Sequence, residues 1–269
     1  MNTSIFKDLG KLELLFEGGQ KKVYKGYDSN YCDIVLKVIA LSDKNIIDRA
    51  MRELEIASRL NGSRYFSVLH EYKFLEDNGE SYLFILEKFI EGQTLRQYLG
   101  LKGTLALDEV LGIAKQLLRA LSELHKLNLV HRDIKPENII INEGKITVLD
   151  LGIARDLSEA SLTADIAFFG PMTIGYAAPE QIKNQKQIIC SRTDLFAWAI
   201  LVYELYSGSN PFKREKSSRE DILISTLNET IPKLNTTDTK LNEIVAKCLD
   251  KAVHRRPISS AFILEYMEG

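Results

Sequence analysis

Four residues between positions 133 and 150 carry side chains that a phosphoryl-transfer reaction needs. Asp133, Lys135 and Asn138 lie in one short segment, and Asp150 follows a short strand-like stretch later. A carboxylate can orient an attacking hydroxyl, a lysine can neutralise the transferred phosphate, and amide and carboxylate oxygens are ligands that Mg²⁺ prefers. The segment therefore indicates transfer of a phosphoryl group to a hydroxyl.

The neighbouring residues place this set in three motifs, which are His131-Arg132-Asp133-Ile134-Lys135-Pro136-Glu137-Asn138, Asp150-Leu151-Gly152 and Ala178-Pro179-Glu180. They resemble the catalytic loop, the metal-binding motif and the end of the activation segment in eukaryotic-like Ser/Thr protein kinases. The resemblance implies that Asp133 is the catalytic base and that Lys135 contacts the γ-phosphate of ATP. It also implies that Asn138 and Asp150 hold Mg²⁺, with Mn²⁺ as a substitute.

Two charged residues nearer the N-terminus lie where apolar residues are expected. Lys37 shares one face of an apolar strand with Val35 and Ile39, because side chains alternate along a strand. Glu53 interrupts an apolar helical stripe formed by Ile46, Ala50, Ala57 and Leu60. Each charge could reach water at an edge, but together they are best explained as partners. They resemble the lysine and glutamate that position ATP phosphates in kinases.

The phosphate-binding loop is the weakest match. Counting back from Val23, the family's glycine positions hold Phe16, Gly18 and Lys21. Gly18 is thus retained and Gly19 is an extra glycine, so the resemblance assigns both, with Val23, to nucleotide binding. Because glycines let backbone amides approach phosphate closely, we expect a looser clasp and ordinary or weak ATP affinity. Charge from Lys21 or Lys22 could compensate, or the pair could simply be solvated.

The resemblance also predicts the adenine site at the end of the strand before residue 87. Leu86 would border the adenine pocket, and the backbones of Glu87 and Phe89 would hydrogen-bond the adenine edge. The alternative reading of these residues is a strand end followed by a loop.

Two residues indicate the substrate class. Lys135 is typical of Ser/Thr kinases, and Thr173 matches the threonine that these enzymes place beside the substrate hydroxyl. The family's usual phosphoacceptor position holds Ala167-Phe168-Phe169, which offers no hydroxyl. Either Ser161 or Thr163 reaches Arg132 by a different loop path, or the Phe168-Phe169 pair orders the segment by packing. We expect autophosphorylation at Ser161 or Thr163 without an absolute switch.

Four further residues match structural positions of the family. His131 resembles a packed core support, and Asp194 resembles the buried aspartate that holds the backbone of the catalytic loop. Arg256 resembles the arginine that pairs with Glu180.

These side chains must be positioned by a strand-rich segment followed by a helical one. β-prone runs at 22–27, 34–39, 68–75 and 81–86 surround one helix, which Ser42 or Asp43 could cap. Apolar residues from 110 to 124 repeat at helical spacing, and further helices are predicted at 193–207, 219–228, 239–250 and 259–267. This order predicts an α+β chain with the bilobal kinase fold. We expect one domain at 6–268, with an N-lobe at about 1–87, a hinge at 87–92 and a C-lobe at 93–269.

The bulk properties narrow the choice of partners. The chain has 269 residues, 45% hydrophobic and 27% charged, and its net charge of −2 gives no electrostatic reason for a nucleic-acid partner. Cys32, Cys190 and Cys248 are too scattered for a disulfide framework or a zinc site, as expected in a reducing cytosol. The N-terminus lacks a secretory signal, and the longest apolar run, 196–203, is too short to span a membrane. We expect a cytoplasmic location, and the oligomeric state stays open.

These features together predict a kinase that transfers phosphate from Mg-ATP to serine and threonine hydroxyls of protein substrates. One alternative is a pseudokinase or scaffold, which the sparse glycine loop alone favours. The other is a small-molecule phosphotransferase, a class that usually lacks an activation segment ending in Ala-Pro-Glu. The chain looks most like bacterial or phage-borne members of the family, either as a free cytosolic enzyme or as part of a longer protein.

Overall fold

The computed structural model describes residues 9–18, 21–77, 79–151, 155–156, 172–216 and 218–269. Several sequence predictions lie outside these residues, namely those made for Gly19, Gly152, Ser161, Thr163 and Ala167-Phe168-Phe169. The chain forms two compact units, Met1–Glu91 and Gly92–Gly269. The first is rich in strands and the second in helices, as expected of the α+β fold.

The N-terminal unit is built on an antiparallel five-stranded sheet with the order β1-β2-β3-β5-β4. Its strands are β1 Glu13–Glu17, β2 Lys21–Asp28, β3 Cys32–Ala40, β4 Leu69–Asp77 and β5 Glu80–Lys88. Four of them were predicted, and β1 was not. Asp28 closes the turn between β2 and β3, because its carboxylate accepts the amides of Asn30 and Tyr31.

One helix, α1 Lys44–Leu60, packs against this sheet. Asp43 caps its start, as predicted, by accepting the Ile46 amide at 3.1 Å. The sheet face beside α1 contributes apolar residues such as Ile39 and Ile85 to one core cluster. The opposite face contributes a second cluster of Ile34, Leu36, Val38, Phe84 and Leu86. Because both faces are buried, the register of each strand decides which cluster a side chain joins.

The C-terminal unit is mainly helical. Its helices are α2 Leu95–Lys102, α3 Leu107–Lys126, α4 Pro179–Ile182, α5 Ser191–Ser207, α6 Arg219–Asn228, α7 Thr239–Cys248 and α8 Ser260–Glu268. Short strands accompany them: β6 Gln93–Thr94, β7 Leu129–Val130, β8 Ile139–Asn142, β9 Lys145–Val148 and β10 Arg155–Asp156. The predicted helices are confirmed to within two residues at each end.

Helix α5 is the centre of this unit. Every residue from Thr193 to Leu205 is buried, so the helix is enclosed on all sides rather than amphipathic. It packs against α3, where the Trp198 indole donates a hydrogen bond to the Ala114 carbonyl at 3.1 Å. No helix in the described ranges has both the length and the apolar character needed to cross a bilayer.

Candidate active site

Asp194, at the start of α5, holds the backbone of the segment that precedes Asp133. Its carboxylate accepts the amides of His131 at 2.9 Å and Arg132 at 2.8 Å, and it also lies 2.9 Å from His125 Nε2. Arg132 has a φ of 70°, which a non-glycine residue adopts only when its surroundings enforce it. The buried carboxylate therefore fixes the turn that presents Asp133, as the sequence predicts.

Asp133, Lys135 and Thr173 form a closed triangle of hydrogen bonds. The Thr173 hydroxyl donates to Asp133 Oδ1 at 2.6 Å, and Lys135 Nζ donates to Asp133 Oδ2 at 2.6 Å. Lys135 Nζ also donates to Thr173 Oγ1 at 2.8 Å. A carboxylate, an ammonium and a hydroxyl thus meet at one point, which is a geometry suited to orienting a second hydroxyl and neutralising a phosphate.

Asn138 and Asp150 lie at the two ends of a short hairpin. Strand β8 begins directly after Asn138 and pairs with β9, and the Leu149 amide donates to the Asn138 carbonyl at 2.8 Å. The hairpin turn uses Glu143 and Gly144 at φ values of 48° and 74°, a combination typical of a two-residue hairpin turn. The hairpin therefore brings residues twelve positions apart to the same end of a small sheet.

The donor chemistry of this pair fits Mg²⁺. The Asn138 amide nitrogen donates to Asp133, to the carbonyl at 3.0 Å and to Oδ2 at 2.9 Å, so the amide oxygen is the donor atom left for a metal. Asp150 is exposed and has a φ of 60°. Within the described residues, no group of three or more histidine, cysteine or acidic side chains could hold a metal. Two oxygen ligands suffice for Mg²⁺ where phosphates and water supply the others.

The segment after Thr173 is anchored by a buried ion pair. Arg256 donates to both carboxylate oxygens of Glu180, at 2.7 and 2.9 Å, and both side chains are almost fully buried. Thr193 adds a hydrogen bond to Glu180 at 2.8 Å. The Gln181 amide donates to the Arg132 carbonyl at 2.9 Å, which ties this segment to the catalytic loop. The predicted pairing of Glu180 with Arg256 is confirmed.

A second network beside the catalytic loop was missed by sequence reasoning. Arg96 donates to Glu137 at 2.8 Å, to Glu204 at 2.7 Å and to the Tyr176 hydroxyl at 2.5 Å. Tyr176 in turn donates to Glu204. Burial and the nearby Glu204 carboxylate raise the pKa of Tyr176. No sequence signal marks this set, because its members are separated by up to 108 positions and each is common on a protein surface.

The N-terminal unit contains the second group of predicted site residues. Lys37 Nζ donates to Glu53 Oε1 at 3.2 Å, so the two misplaced charges are partners, as the sequence predicts. Lys37 also donates to Glu87 Oε1 at 2.5 Å. Lys21 Nζ lies 3.7 Å from the same oxygen of Glu53. Two lysines and two glutamates thus form one compact group. The sequence predicted only the ion pair between Lys37 and Glu53.

The strand register corrects the prediction made for Leu86. Lys37 pairs with Ile85 across β3 and β5, so Ile85 and Glu87 share its face and Leu86 points to the other side. Leu86 is fully buried in the cluster on that opposite face. The position beside Lys37 on this face is therefore held by Glu87, and Leu86 lies on the opposite face.

The same one-residue error affects the predicted backbone contacts. The Phe89 amide donates to the Asp33 carbonyl at 3.0 Å, and Glu87 of β5 pairs with Val35 of β3 on one side and with Leu69 of β4 on the other. These backbones take part in strand pairing, which leaves fewer of their polar groups for a ligand than the prediction requires. The error arose because Leu86 and Glu87 are neighbours within one continuous strand, which ends at Lys88, and the sequence does not fix which of them faces Lys37.

The glycine-loop residues lie at the start of β2. Val23 pairs with Lys37, and the Gly18 amide donates to the Lys21 carbonyl at 2.9 Å. A Cβ at Gly18 would lie 3.0 Å from the exposed Phe16 ring, so that ring would have to shift by a few tenths of an ångström to admit a side chain. Gly18 thus precedes β2, and Val23 lies within β2, two residues after Lys21, the member of the charged group that begins this strand.

Comparison with known proteins gives a consistent result. Residues 10–266 match the family model described as protein kinase domain. The probable serine/threonine-protein kinase PknB of Lactococcus lactis is 31% identical over 255 residues, covering 93% of this chain and 37% of that protein. The serine/threonine-protein kinase PrkC of Bacillus subtilis is 29% identical over 263 residues, covering 96% and 39%. The serine/threonine-protein kinase pkn3 of Myxococcus xanthus is 31% identical over 255 residues, covering 91% and 46%. The chain spans less than half the length of each relative.

Proposed function

The chain belongs to the protein kinase family, and from that premise we propose that it transfers the γ-phosphate of ATP to serine and threonine hydroxyls of proteins. One observation carries the proposal: the triangle of Asp133, Lys135 and Thr173. A carboxylate that already accepts a threonine hydroxyl can accept a substrate hydroxyl in the same way. The relatives named as serine/threonine kinases support the same substrate class.

Each catalytic residue then has one task. Asp133 orients the acceptor hydroxyl and takes its proton, while Lys135 stabilises the negative charge on the transferred phosphate. Asn138 and Asp150 hold Mg²⁺ or Mn²⁺, which neutralises the phosphate oxygens when it is bound. Lys37, oriented by Glu53, contacts the phosphates that are not transferred.

The adenine contacts follow from the corrected register. Since Glu87 replaces Leu86 as the side chain on the Lys37 face, the backbone contacts move by one residue as well. We therefore assign the adenine edge to the Lys88 carbonyl and the Ile90 amide, because the Lys88 amide already donates to the Val68 carbonyl at 2.9 Å. Gly18 and Val23 cover the nucleotide from the side of β2.

The proposal includes autophosphorylation at Ser161 or Thr163. Both hydroxyls belong to the segment between Asp150 and Glu180, where kinases carry such sites. Replacing both by alanine should lower activity without abolishing it. Mass spectrometry of the protein incubated with Mg-ATP would locate the modified residues.

The test is transfer of labelled γ-phosphate from Mg-ATP to the protein itself and to myelin basic protein. We expect incorporation on serine and threonine that disappears in Asp133→Asn and Lys37→Met. The exposed residues Asp108 and Lys145 offer matched controls, Asp108→Asn and Lys145→Met, which should retain activity. Binding of Mg-ATP without any transfer would contradict the proposed activity and favour a scaffold role.

A further inference from the structure

Two carboxylates of the N-terminal unit, those of Glu53 and Glu87, contact Lys37, although orienting the lysine would need only one. Glu53 Oε1 lies 3.2 Å and Glu87 Oε1 2.5 Å from its ammonium nitrogen. All three side chains are largely buried, with relative exposures of 12% for Lys37, 8% for Glu53 and 9% for Glu87. A buried carboxylate without a cation is strongly unfavourable, so Glu87 is held in place by Lys37 as much as it holds Lys37.

Lys21 supplies a second cation to the group. Its ammonium lies 3.7 Å from Glu53 Oε1, and its side chain is 25% exposed. Two lysines and two glutamates give the cluster no formal net charge. A lysine–glutamate pair alone would also be neutral, so Lys21 and Glu87 are an added cation and an added anion around that pair.

The register of β5 explains why Glu87 belongs to the cluster. Ile85 faces Lys37 directly across the ladder, and Glu87 is the next residue of β5 on the same face. Moving the pairing by one residue would replace the carboxylate by the apolar side chain of Leu86. The second carboxylate is thus a specified feature of the strand rather than a flexible surface group.

We propose that Glu87 is a positioning residue that shares Lys37 with Glu53 and, together with Lys21, sets the affinity for the polyphosphate of the nucleotide. This inference rests on the proposed function, because it assigns the phosphates as the ligand of Lys37. The Glu87 charge opposes phosphate binding, and the Lys21 charge offsets that effect.

The test compares the affinities of Mg-ADP and adenosine, measured by calorimetry on the full chain. For Glu87→Gln, which keeps the shape and removes the charge, we expect Mg-ADP to bind about threefold more tightly or better. Lys21→Met should weaken Mg-ADP binding by about threefold or more, and the double variant should return near the parent value. Adenosine affinity should change by less than about twofold in each variant, because adenosine has no phosphate.

Glu55 is exposed on α1, and Glu55→Gln is the matched control that should leave both affinities unchanged. Equal changes for Mg-ADP and adenosine would overturn the inference, since Glu87 would then act on the base or the fold. Unchanged Mg-ADP affinity in Glu87→Gln and Lys21→Met would also overturn it, while leaving the proposed kinase function intact. Failure of the parent protein to bind Mg-ADP would overturn both. If Glu87→Gln does not fold, Lys21→Met decides, because Lys21 is partly exposed and its substitution disturbs the fold less. The criterion is again the change in Mg-ADP affinity relative to the change in adenosine affinity.

Discussion

At the scale of single residues, Asp133 uses both of its carboxylate oxygens. One accepts the Thr173 hydroxyl, and the other accepts Lys135 and Asn138. Hydrogen bonds that involve a charged group are stronger than neutral ones, so this arrangement fixes the direction of the carboxylate before a substrate arrives. A catalytic base that is already oriented loses less freedom when the reaction begins.

Thr173 is the member of the triangle whose contribution can be removed without changing a charge. Thr173→Val keeps the shape but removes the hydroxyl that bridges Asp133 and Lys135. We expect kcat/KM to fall roughly 10- to 100-fold, since hydrogen bonds to charged groups are worth about 1.5–3 kcal/mol. Steady-state kinetics with a peptide substrate would measure the change.

Thr173→Ser is the matched control, because serine keeps the hydroxyl. Its kcat/KM should stay within about threefold of the parent value, as the two hydrogen bonds can still form. Thermal unfolding of both variants would show that the fold is intact. A Thr173→Val enzyme as active as Thr173→Ser would contradict the role assigned to the hydroxyl.

At the scale of elements, the catalytic loop depends on helix α5, which contacts the loop in space but lies far from it in the sequence. Asp194 on α5 accepts the amides of His131 and Arg132. Asp194→Asn replaces one acceptor by a donor, which leaves a buried amide facing another donor. We expect the free energy of unfolding to fall by about 2–4 kcal/mol, measured by urea denaturation, together with a large loss of activity.

The exposed residue Asp33 provides the comparison for this change. Asp33→Asn should alter the free energy of unfolding by less than about 0.5 kcal/mol, as surface substitutions usually do. If Asp194→Asn behaves like Asp33→Asn, the carboxylate is not what fixes the loop.

The sequence predicted elements and site residues correctly where the local pattern of apolar residues agrees with the burial in the fold. Strands β2 to β5 were predictable as β-prone runs between turn residues, and the capped helix α1 and the helical stripe of α3 were predictable from periodicity. Lys37 and Glu53 were found because each is a charge on an apolar face, and such charges require partners. Asp194, Glu180 and Arg256 came from family resemblance, not from periodicity.

The missed features have little local signal. Strand β1 is exposed along its whole length, so its residues show no alternation between buried and exposed positions. Helix α2 has eight residues, of which only Leu95 and Leu99 are buried. The error at Leu86 and Glu87 has a different cause: both faces of β5 are apolar, and a one-residue difference in register exchanges them.

At the scale of the whole molecule, global stability should depend on the buried pair of Glu180 and Arg256. Removing either partner leaves a charge in the interior of the C-terminal unit. We expect Arg256→Met or Glu180→Gln to lower the free energy of unfolding by about 3–5 kcal/mol, measured by urea denaturation. The double variant Glu180→Met/Arg256→Met should be less destabilised than the sum of two single changes, because it leaves no unpaired charge.

The exposed pair of Arg119 and Glu268 separates burial from pairing. Its nitrogen–oxygen distance of 2.7 Å equals that of the buried pair, but its side chains are 41% and 48% exposed. Arg119→Met should therefore change the free energy of unfolding by less than about 1 kcal/mol. Similar losses for Arg119→Met and Arg256→Met would show that distance rather than burial determines the contribution.

Lys251 gives the molecule a pH dependence of stability in the alkaline range. Burial, with a smaller contribution from Arg256, lowers the pKa of this lysine from 10.5 to about 8. Its ammonium still donates to the Thr226 carbonyl at 2.8 Å and lies 4.2 Å from the centre of the Phe212 ring, contacts that favour the charged form. Below pH 8 the Lys251 side chain is charged in both the folded and the unfolded state, and burying that charge destabilises the folded state.

As the pH rises from 8 to 10.5, the folded state releases this proton before the unfolded state does, so the destabilisation disappears. Compared with Lys251→Met, the parent protein should gain about 1 kcal/mol of stability over this interval, a figure reduced for partial exposure. Urea denaturation of both proteins at several pH values would measure the difference, and comparison with the variant cancels the titration of other groups. A difference that stays constant from pH 7 to 10 would show that Lys251 keeps its proton in the fold.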